Sequence, residues 1–474
     1  MANESISKNS SGVTVVYFIG IGGIGMSALA RYFHSKGAKV SGYDKTVSSL
    51  TKELEQDGMR IHYEENLDLI PIYADLVVYT PAVPKEHKEL EYYRRNGYKV
   101  VKRSEVLQMV TESSFNICIA GTHGKTTITT MVAHLLRQTG YGCNAFLGGI
   151  SVNYGTNFWS SQKNVSVVEA DEYDRSFLKL SPDIAVITAM DPDHLDIYGT
   201  AEEMEKAFIE FSGKIKQGGL LISKFGIKRE KELKGTRHLT YSVQNNSADA
   251  HAENIKMMNG TYEFDVVIKY KRIEKVNLNI GGMHNVENAV AAITVASSLN
   301  IDEEKIKAAV ADFKGVKRRF EYILPPVRGS FPLHLGRGVR GEVVFIDDYA
   351  HHPEELRALI SGAKSLFSDK KCTVIFQPHL YTRTRDLADG FAEVLDMADE
   401  IILLPIYPAR ELPIAGVSSE MILDKMKNKN RRVMTKEHLI DWIKNGYKKE
   451  GKVLITAGAG DIDLLVEPIK EILK

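Results

Sequence analysis

The sequence predicts an α/β protein of three domains. Its 474 residues allow two to four domains at roughly 100–200 residues each. Apolar runs of strand length alternate with helical stretches along most of the chain, a pattern typical of parallel sheets. Two glycine-rich turns open the first and second segments, and a stretch with Pro and Gly turn signals at residues 325–341 opens the third.

The first segment, residues 1–113, predicts a Rossmann-like domain. The stretch "VTVVYFIGIGGIGMSALARYF" reads as a buried strand, a glycine-rich turn and a helix. Asp44 ends the next predicted strand, about 20 residues further on, as in the dinucleotide fingerprint. Glycines at these positions let the backbone approach a diphosphate, which a UDP-sugar and a nicotinamide dinucleotide share. The diphosphate-binding residues predicted here are Gly20, Gly22, Gly23, Gly25 and Asp44.

The second segment, residues 114–322, carries a phosphate-binding loop. "AGTHGKTTITTM" follows the apolar run "FNICIA" and opens a helix predicted over 126–138. Only two residues separate the first glycine from the Gly-Lys pair, whereas the common loop has four. The amides of this loop form an anion nest, Lys125 supplies charge to the phosphates, and the Thr126 hydroxyl suits Mg²⁺. The predicted loop residues are Gly121, Thr122, His123, Gly124, Lys125, Thr126 and Thr127.

Acidic and histidine side chains follow the later strands of this segment. Glu169 ends "VSVVEA", and His194 lies in "DPDHLD" after another apolar run. Both stand at predicted strand ends, where open α/β sheets bind ligands, and the carboxylate suits Mg²⁺. Asn285 and Asn288 offer amides for a base edge, and Arg319 suits a transferring phosphoryl group. Residues 216–280 are polar and β-rich, which predicts an antiparallel excursion.

The third segment, residues 323–474, predicts a second doubly wound domain. Four strand candidates, "EVVFIDDYA", "CTVIFQPH", "EIILLPIYPA" and "KVLITAGAGD", each end in polar residues. The side chains after the first two include acids, histidines and arginines, which we expect to form one wall of a site. These side chains lie in "DDYAHHPEE" and "FQPHLYTRTR".

Composition excludes several classes of protein. Lys+Arg and Asp+Glu both number 61, so the net charge gives no reason to expect nucleic acid or a membrane surface as a partner. No apolar stretch approaches the ~18 residues of a spanning helix, and the polar start lacks a signal-peptide core. Three widely spaced cysteines argue against a disulfide framework or a zinc site. We therefore expect a cytoplasmic protein.

Nine motifs together resemble one family, the Mur ligases of bacterial cell-wall synthesis. The resemblance covers nearly the whole chain, and as an ordered set the motifs are highly specific. They are "GIGGIGMSALA", "AGTHGKTT", "EADE", "DHLDIYG", "HNVENAVAA", "RRFE", "DDYAHHP", "FQPHLYTRT" and "YPARELPIAG".

The resemblance implies an ATP-dependent ligase with a UDP-sugar domain, a central ATP domain and a closing domain that brings the amino acid. The lactyl carboxylate of UDP-N-acetylmuramate would attack the γ-phosphorus of ATP, and L-alanine would then attack the acyl phosphate. By carry-over, Lys125 would contact the phosphates. Thr126 and Glu169 would hold one Mg²⁺, and His194 with Glu169 a second. Domain closure would exclude water from the acyl phosphate.

The remaining carried-over positions concern the nucleoside and the amino acid. Asn285 or Asn288 would read adenine, Asp348 would bind the ribose, and Arg319 would lie near the transferring group. The amino-acid end would be lined by Tyr349, His351, His379 and Arg383.

Three alternatives stay open at this stage. The first is the related ligase that attaches a recycled tripeptide to the same nucleotide, which "DEYD" favours while "FQPH" and "YPARE" favour L-alanine. The second, a nicotinamide-dependent dehydrogenase, leaves the phosphate loop unexplained. The third is a nucleotide-binding regulator without turnover. The sequence allows a monomer or a homodimer.

Overall fold

The structure is a computed structural model that describes residues 13–112, 114–173, 175–191, 195–258, 260–326, 343–409 and 411–474. These residues form two compact units. The first unit comprises the described residues within Met1–His251, Ile268–Tyr270 and Asn288–Ala309, and the second comprises those within Ala252–Val267, Lys271–Glu287 and Val310–Lys474.

The N-terminal part of the first unit is a five-stranded parallel sheet of order β3-β2-β1-β4-β5. Parallel strands need crossover connections, which helices supply after β1, β2 and β4, while residues 63–75 connect β3 to β4 without a helix. The elements are β1 Val15–Ile19, α1 Ile24–Ser35, β2 Lys39–Tyr43, α2 Ser49–Gln56, β3 Arg60–His62, β4 Leu76–Tyr79, α3 Lys88–Arg95, β5 Val100–Lys102 and α4 Arg103–Glu112.

The central sheet begins with β6, which lies between two parallel neighbours, β9 and β10. Within the first unit its order is β12-β11-β10-β6-β9-β7-β8, with the first two residues of β13 paired to β12. The elements are β6 Phe115–Ala120, α5 Lys125–Gln138, β7 Asn144–Ser151, β8 Thr156–Trp159, β9 Val165–Glu169, β10 Ile184–Ile187, α6 Leu195–Tyr198, α7 Ala201–Ser212, β11 Leu220–Lys224, β12 Arg237–Ser242, β13 Ala250–Met258, β14 Thr261–Ile268, β15 Lys271–Leu278, α8 Met283–Ser298 and α9 Glu303–Asp312.

One sequence prediction for this region is partly wrong. The stretch expected to be antiparallel begins with three strands, β11, β12 and the start of β13, that pair in parallel. The polar residues of β12 are exposed or half-buried, whereas β11 is buried up to its last residue, so polarity here reflects exposure rather than a change of strand direction. β14 and β15 are adjacent and joined by two residues, a length that permits only an antiparallel hairpin.

The second unit contains a six-stranded sheet of order β16-β17-β21-β18-β19-β20. All neighbours are parallel except β16, which runs antiparallel to β17 at one edge. The elements are β16 Glu321–Leu324, β17 Val343–Asp348, α10 Pro353–Leu366, β18 Lys371–Phe376, α11 Tyr381–Leu395, β19 Glu400–Leu403, α12 Ser419–Lys425, β20 Arg431–Val433, α13 Lys436–Asn445, β21 Lys452–Ala457 and α14 Val466–Leu473.

The predicted α/β class and its three sheet-containing domains are confirmed. The inner strands are apolar and fully buried, as expected for sheets covered on both faces. In the first unit, one apolar core runs from α1 to the central sheet. There the Tyr32 ring is tilted against Phe146 at a centroid distance of 5.5 Å and meets Phe158 edge-on at 6.0 Å. Asn157 is fully buried at the same junction and donates to Ile24 O at 2.6 Å.

Two further observations bear on the class of protein. The three cysteines are buried, and none forms a disulfide. Among the described residues, no helix has the length and apolar character that crossing a membrane requires.

Candidate functional site

The phosphate loop connects β6 to α5 at the carboxyl end of the central sheet. Gly121 and Gly124 have φ of +128° and +79°, a region that L-residues with a Cβ avoid. A Cβ on Gly121 would stand 2.1 Å from Thr188 Oγ1, so the glycine also makes room for the strand-end residue beside it. Thr122 N donates to Ala189 O at 3.1 Å. The loop is therefore fastened to the end of β10 as well as to its own helix.

Lys125 begins α5 and makes a buried ion pair. Its Nζ donates to Glu172 Oε1 at 2.6 Å and to Gly121 O at 2.6 Å. Glu172 is fully buried, and its second oxygen has no hydrogen-bond partner within the described structure. Burial raises the pKa of Glu172, and the Lys125 ammonium opposes that rise. The lysine thus lies across the loop with its charge held by one carboxylate.

A hydroxyl and a carboxylate meet at Thr126, the residue after Lys125. Thr126 Oγ1 donates to Glu169 Oε1 at 3.0 Å, and Gly148 N donates to Glu169 Oε2 at 3.0 Å. A Cβ on Gly148 would stand 2.2 Å from that carboxylate, so β7 must have glycine here. A hydroxyl beside a carboxylate fits the oxygen preference of Mg²⁺. The other predicted ligand, His194, lies outside the described residues.

The first glycine-rich turn joins β1 to α1. Asp44 follows β2 and accepts from Gly22 N at 2.8 Å and from Thr46 N at 3.0 Å. A Cβ on Gly25 would stand 2.8 Å from Nη1 of Arg103, the first residue of α4. A guanidinium therefore lies at the start of α1, where the helix amides favour an anion. Arg103 Nη2 also lies 3.5 Å from Asp171 Oδ2.

The two asparagines of α8 differ in their surroundings. Asn288 is buried in the first unit, and a Cβ on Gly124 would stand 2.8 Å from its Oδ1. Asn285 is buried in the second unit, where its Nδ2 donates to Gly281 O at 2.6 Å. Asn288 thus lies against the phosphate loop.

In the second unit, Asp348 ends β17 and accepts from Phe320 N at 2.6 Å and Ala350 N at 2.7 Å. Burial raises the pKa of Asp348, while the charge of Arg319 lowers it. The Arg319 side chain is exposed and lies over the Tyr349 ring at 5.5 Å. The structure thus brings three predicted residues together at the end of one strand.

A cluster of rings continues from this strand end. The His351 and His379 rings lie 6.2 Å apart, and His379 stacks on Tyr407 at 5.7 Å. Arg383 Nη1 approaches His379 Nδ1 at 3.4 Å. Burial, followed by Arg383 and His351, lowers the pKa of His379 to about 4, and burial also lowers the pKa of His351. Both shifts favour the neutral imidazole.

Sequence reasoning missed three residues of these clusters: Arg103, Tyr407, and Glu172 as the partner of the loop lysine. Arg103 directly follows β5, so a basic residue at the end of a strand was the available signal. Glu172 belongs to an acidic run whose four carboxylates look alike in sequence. Tyr407 opens the motif "YPARE", but its stacking on His379 depends on a bridge between two loops and could not be read from that motif.

Three family models match the chain in sequence order. The model described as "Mur ligase family, catalytic domain" matches residues 15–114. The "Mur ligase middle domain" matches residues 119–296, and "Mur ligase, glutamate ligase domain" matches residues 334–460. Each match covers most of one of the three sheets.

Individual proteins are similar over nearly the full length. A UDP-N-acetylmuramate–L-alanine ligase of Phocaeicola vulgatus is 50% identical over 96% of this chain and 97% of its own. The enzyme so named in Porphyromonas gingivalis is 48% identical over 97% of this chain and 99% of its own.

Solved structures agree. The UDP-N-acetylmuramate-alanine ligase of Thermotoga maritima has a TM-score of 0.80 and 30% identity, covering 96% of this chain and 98% of its own. A murein peptide ligase of Psychrobacter arcticus, with 23% identity, a TM-score of 0.67 and coverage of 97% and 98%, shares the fold. On these matches, the chain belongs to the Mur ligase family.

Proposed function

We propose that this chain joins L-alanine to the lactyl carboxylate of UDP-N-acetylmuramate with cleavage of ATP to ADP and phosphate, a step of peptidoglycan precursor synthesis. The observation that carries the proposal is the phosphate loop, with Lys125 charged and the Thr126–Glu169 pair beside it. Relatives 43–50% identical over nearly the whole chain have the name of that activity.

The reaction follows from charge. A carboxylate that attacks the γ-phosphorus of ATP brings one anion to another, so the site must neutralise the approaching groups. Lys125 is the charge within the loop, and binding of ATP would draw its ammonium from Glu172 toward the phosphates. The product is an acyl phosphate, and ADP leaves. The amine of L-alanine then attacks the acyl carbon, the amide forms and phosphate departs.

Mg²⁺ when bound would neutralise phosphate oxygens and orient them for in-line attack. Thr126 and Glu169 would hold one ion by the oxygen pair described above. We expect a second ion at Glu169 and His194. The number of ions is open to direct titration.

The other substrate contacts are assigned by motif and place. In the first unit, Asn288 beside the loop is the better of the two asparagines for adenine, and the turn at Gly20–Gly25 with Asp44 would receive the UDP diphosphate. In the second unit, Asp348 would bind ribose and Arg319 would approach the transferring group. The amino-acid end is assigned to Tyr349, His351, His379 and Arg383.

Domain boundaries, assembly and location complete the proposal. We place the boundaries at residues 1–113, 114–322 and 323–474. The partners are the two small-molecule substrates, with neither nucleic acid nor membrane, and the chain acts as a monomer or homodimer. The cytoplasm, which holds ATP and nucleotide-linked sugars, is its expected compartment.

The test is phosphate release from Mg-ATP with UDP-N-acetylmuramate, comparing L-alanine with the tripeptide L-Ala-γ-D-Glu-meso-diaminopimelate. Release that requires L-alanine supports the proposal. Release with the tripeptide alone would replace it by the recycling ligase. No release with either acceptor would contradict both assignments.

A further inference from the structure

The two histidines of the ring cluster are neutral but are held in different tautomers. His351 Nδ1 lies 3.0 Å from Tyr349 O and 3.3 Å from Glu355 Oε2. Both oxygens can only accept, so Nδ1 must bear the hydrogen. The lone pair of His351 is therefore on Nε2, for which the described residues supply no partner.

His379 has the opposite arrangement. Its Nδ1 faces Arg383 Nη1 at 3.4 Å, and a guanidinium can only donate. Nδ1 must accept, so the hydrogen of His379 is on Nε2. Stacking on Tyr407, at an interplanar angle of 18°, fixes the plane of the ring. The cluster therefore presents one nitrogen lone pair and one N–H group on neighbouring rings.

The His351 ring is also oriented by a carboxylate that the backbone holds in place. Glu355 Oε2, which lies near His351 Nδ1, accepts from His351 N at 2.9 Å and from His352 N at 3.2 Å. The carboxylate is thus fixed by backbone at the first turn of α10. A base oriented by a carboxylate and a carbonyl through its other nitrogen is the arrangement that general-base histidines use.

We propose that His351 is the general base that takes a proton from the ammonium group of the incoming amino acid, with His379 as the N–H donor beside it. This role rests on the proposed function, in which this cluster receives L-alanine. The ammonium has no lone pair and cannot attack. One proton passes to His351 Nε2, the amine attacks the acyl carbon, and the second nitrogen proton leaves with the phosphate as the C–O bond breaks.

The surrounding charges suit this task. Glu355 favours an imidazolium at His351, whereas Arg383 and Arg319 oppose it. Glu411 favours an imidazolium at His379, and Arg383 again opposes it. Burial and the two arginines therefore favour an unprotonated resting base, and Glu355 stabilises the charge that appears after transfer.

The test uses two nucleophiles and the full-length enzyme with Mg-ATP and UDP-N-acetylmuramate. L-Alanine must be deprotonated, whereas hydroxylamine is already uncharged at neutral pH and converts an acyl phosphate to a hydroxamate. His351→Asn retains an N–H group for Tyr349 O but has no basic nitrogen. The matched control is His438→Asn, which changes an exposed histidine of the same unit.

We expect His351→Asn to lower alanine-dependent phosphate release at pH 7 by about 10²-fold or more, the usual contribution of a general base. Hydroxamate formation should stay within about twofold of wild type, and the deficit with alanine should narrow as pH rises. His379→Gln, which retains an N–H donor, should raise the KM for alanine and leave the shape of the pH profile unchanged.

Equal losses with both nucleophiles in His351→Asn would overturn the role, and so would the alanine-specific, pH-dependent loss if it appeared in His379→Gln instead. Hydroxamate formation itself reports a folded site, so misfolding of a variant is recognised directly. A wild-type enzyme that releases phosphate with neither nucleophile would instead contradict the proposed function, and this role with it.

Discussion

The two glycine-rich turns of the first unit follow the same plan and differ in where their positive charge comes from. Each joins a buried parallel strand to a helix, β1 to α1 and β6 to α5. In the phosphate loop the cation is Lys125, within the loop itself. In the first turn the cation is Arg103, which comes from the start of α4 almost eighty positions along the chain.

The difference concerns the carboxylate that pairs with each cation. Lys125 is paired at 2.6 Å with the fully buried Glu172. Arg103 is 3.5 Å from Asp171, whose side chain is 41% exposed. A buried partner confines the charge more tightly than one in contact with water. The phosphate loop thus has a tightly paired charge and the first turn a more loosely paired one, which under the proposed function would serve ATP chemistry and diphosphate binding respectively.

Lys125→Met should have the largest effect. It removes the loop charge and retains the length of the side chain, so we expect alanine-dependent phosphate release to fall by about 10³-fold. Binding of UDP-N-acetylmuramate, measured by calorimetry, should be unchanged, because the cation at the first turn is Arg103 and the substitution leaves it in place. A parallel loss of sugar-nucleotide binding would show that the two turns do not act separately.

Arg103→Met should give the reverse pattern. Loss of a charge-assisted contact of about 1.5–3 kcal/mol would weaken UDP-N-acetylmuramate binding by roughly 10–100-fold. Affinity for ATP should remain, and Arg103→Lys should recover part of the loss. Unchanged affinity in Arg103→Met would place the diphosphate away from the start of α1.

Glu172→Gln tests the held charge. The glutamine amide oxygen can still accept from the Lys125 ammonium but carries no negative charge, so we expect a loss of unfolding free energy of roughly 1–3 kcal/mol. The turnover number should fall by about tenfold, more than the KM for ATP changes, because the lysine charge remains while its position is less defined. Thermal unfolding and steady-state kinetics measure the two effects. Equal stability of variant and wild type would argue against the pair in solution.

The fold was predictable because it depends on local patterns. Apolar runs marked the inner strands, and the helix predicted over 126–138 begins one residue earlier, at Lys125. The region whose strand direction was predicted wrongly contains short strands such as β12, "RHLTYS". In this strand polar and apolar residues alternate, and there is no apolar run. In such segments, strand direction depends on partners distant in sequence, and no single stretch reveals it.

The residues of the candidate site were predictable where they belong to a contiguous sequence motif. Lys125, Thr126 and Glu169 were each identified from a motif next to a strand end, and the structure places the last two in contact at 3.0 Å. The tautomers of His351 and His379 depend on Glu355, Tyr349 and Arg383. Those contacts arise from folding, so the same histidines in sequence look equivalent.

The smallest changes, in the free energy of unfolding, are expected for two neighbouring glycines of the first turn. A Cβ on Gly22 would stand 2.6 Å from Thr51 Cγ2 and 2.9 Å from Asp44 Oδ2, whereas the closest atom to a Cβ on Gly23 is 3.6 Å away. Gly23 also has φ of −64°, which alanine adopts freely. Gly22→Ala should therefore lower the free energy of unfolding by about 1–3 kcal/mol, since the turn must shift.

Gly23→Ala should instead raise the free energy of unfolding by about 0.4–1 kcal/mol, because alanine loses less backbone entropy on folding. Urea unfolding of the two variants measures both changes in one experiment, with wild type between them. Similar losses in both variants would mean that the turn tolerates no Cβ at either glycine. The first turn would then be as confined as the phosphate loop, and the contrast between a held and a loose charge would rest on the cations alone.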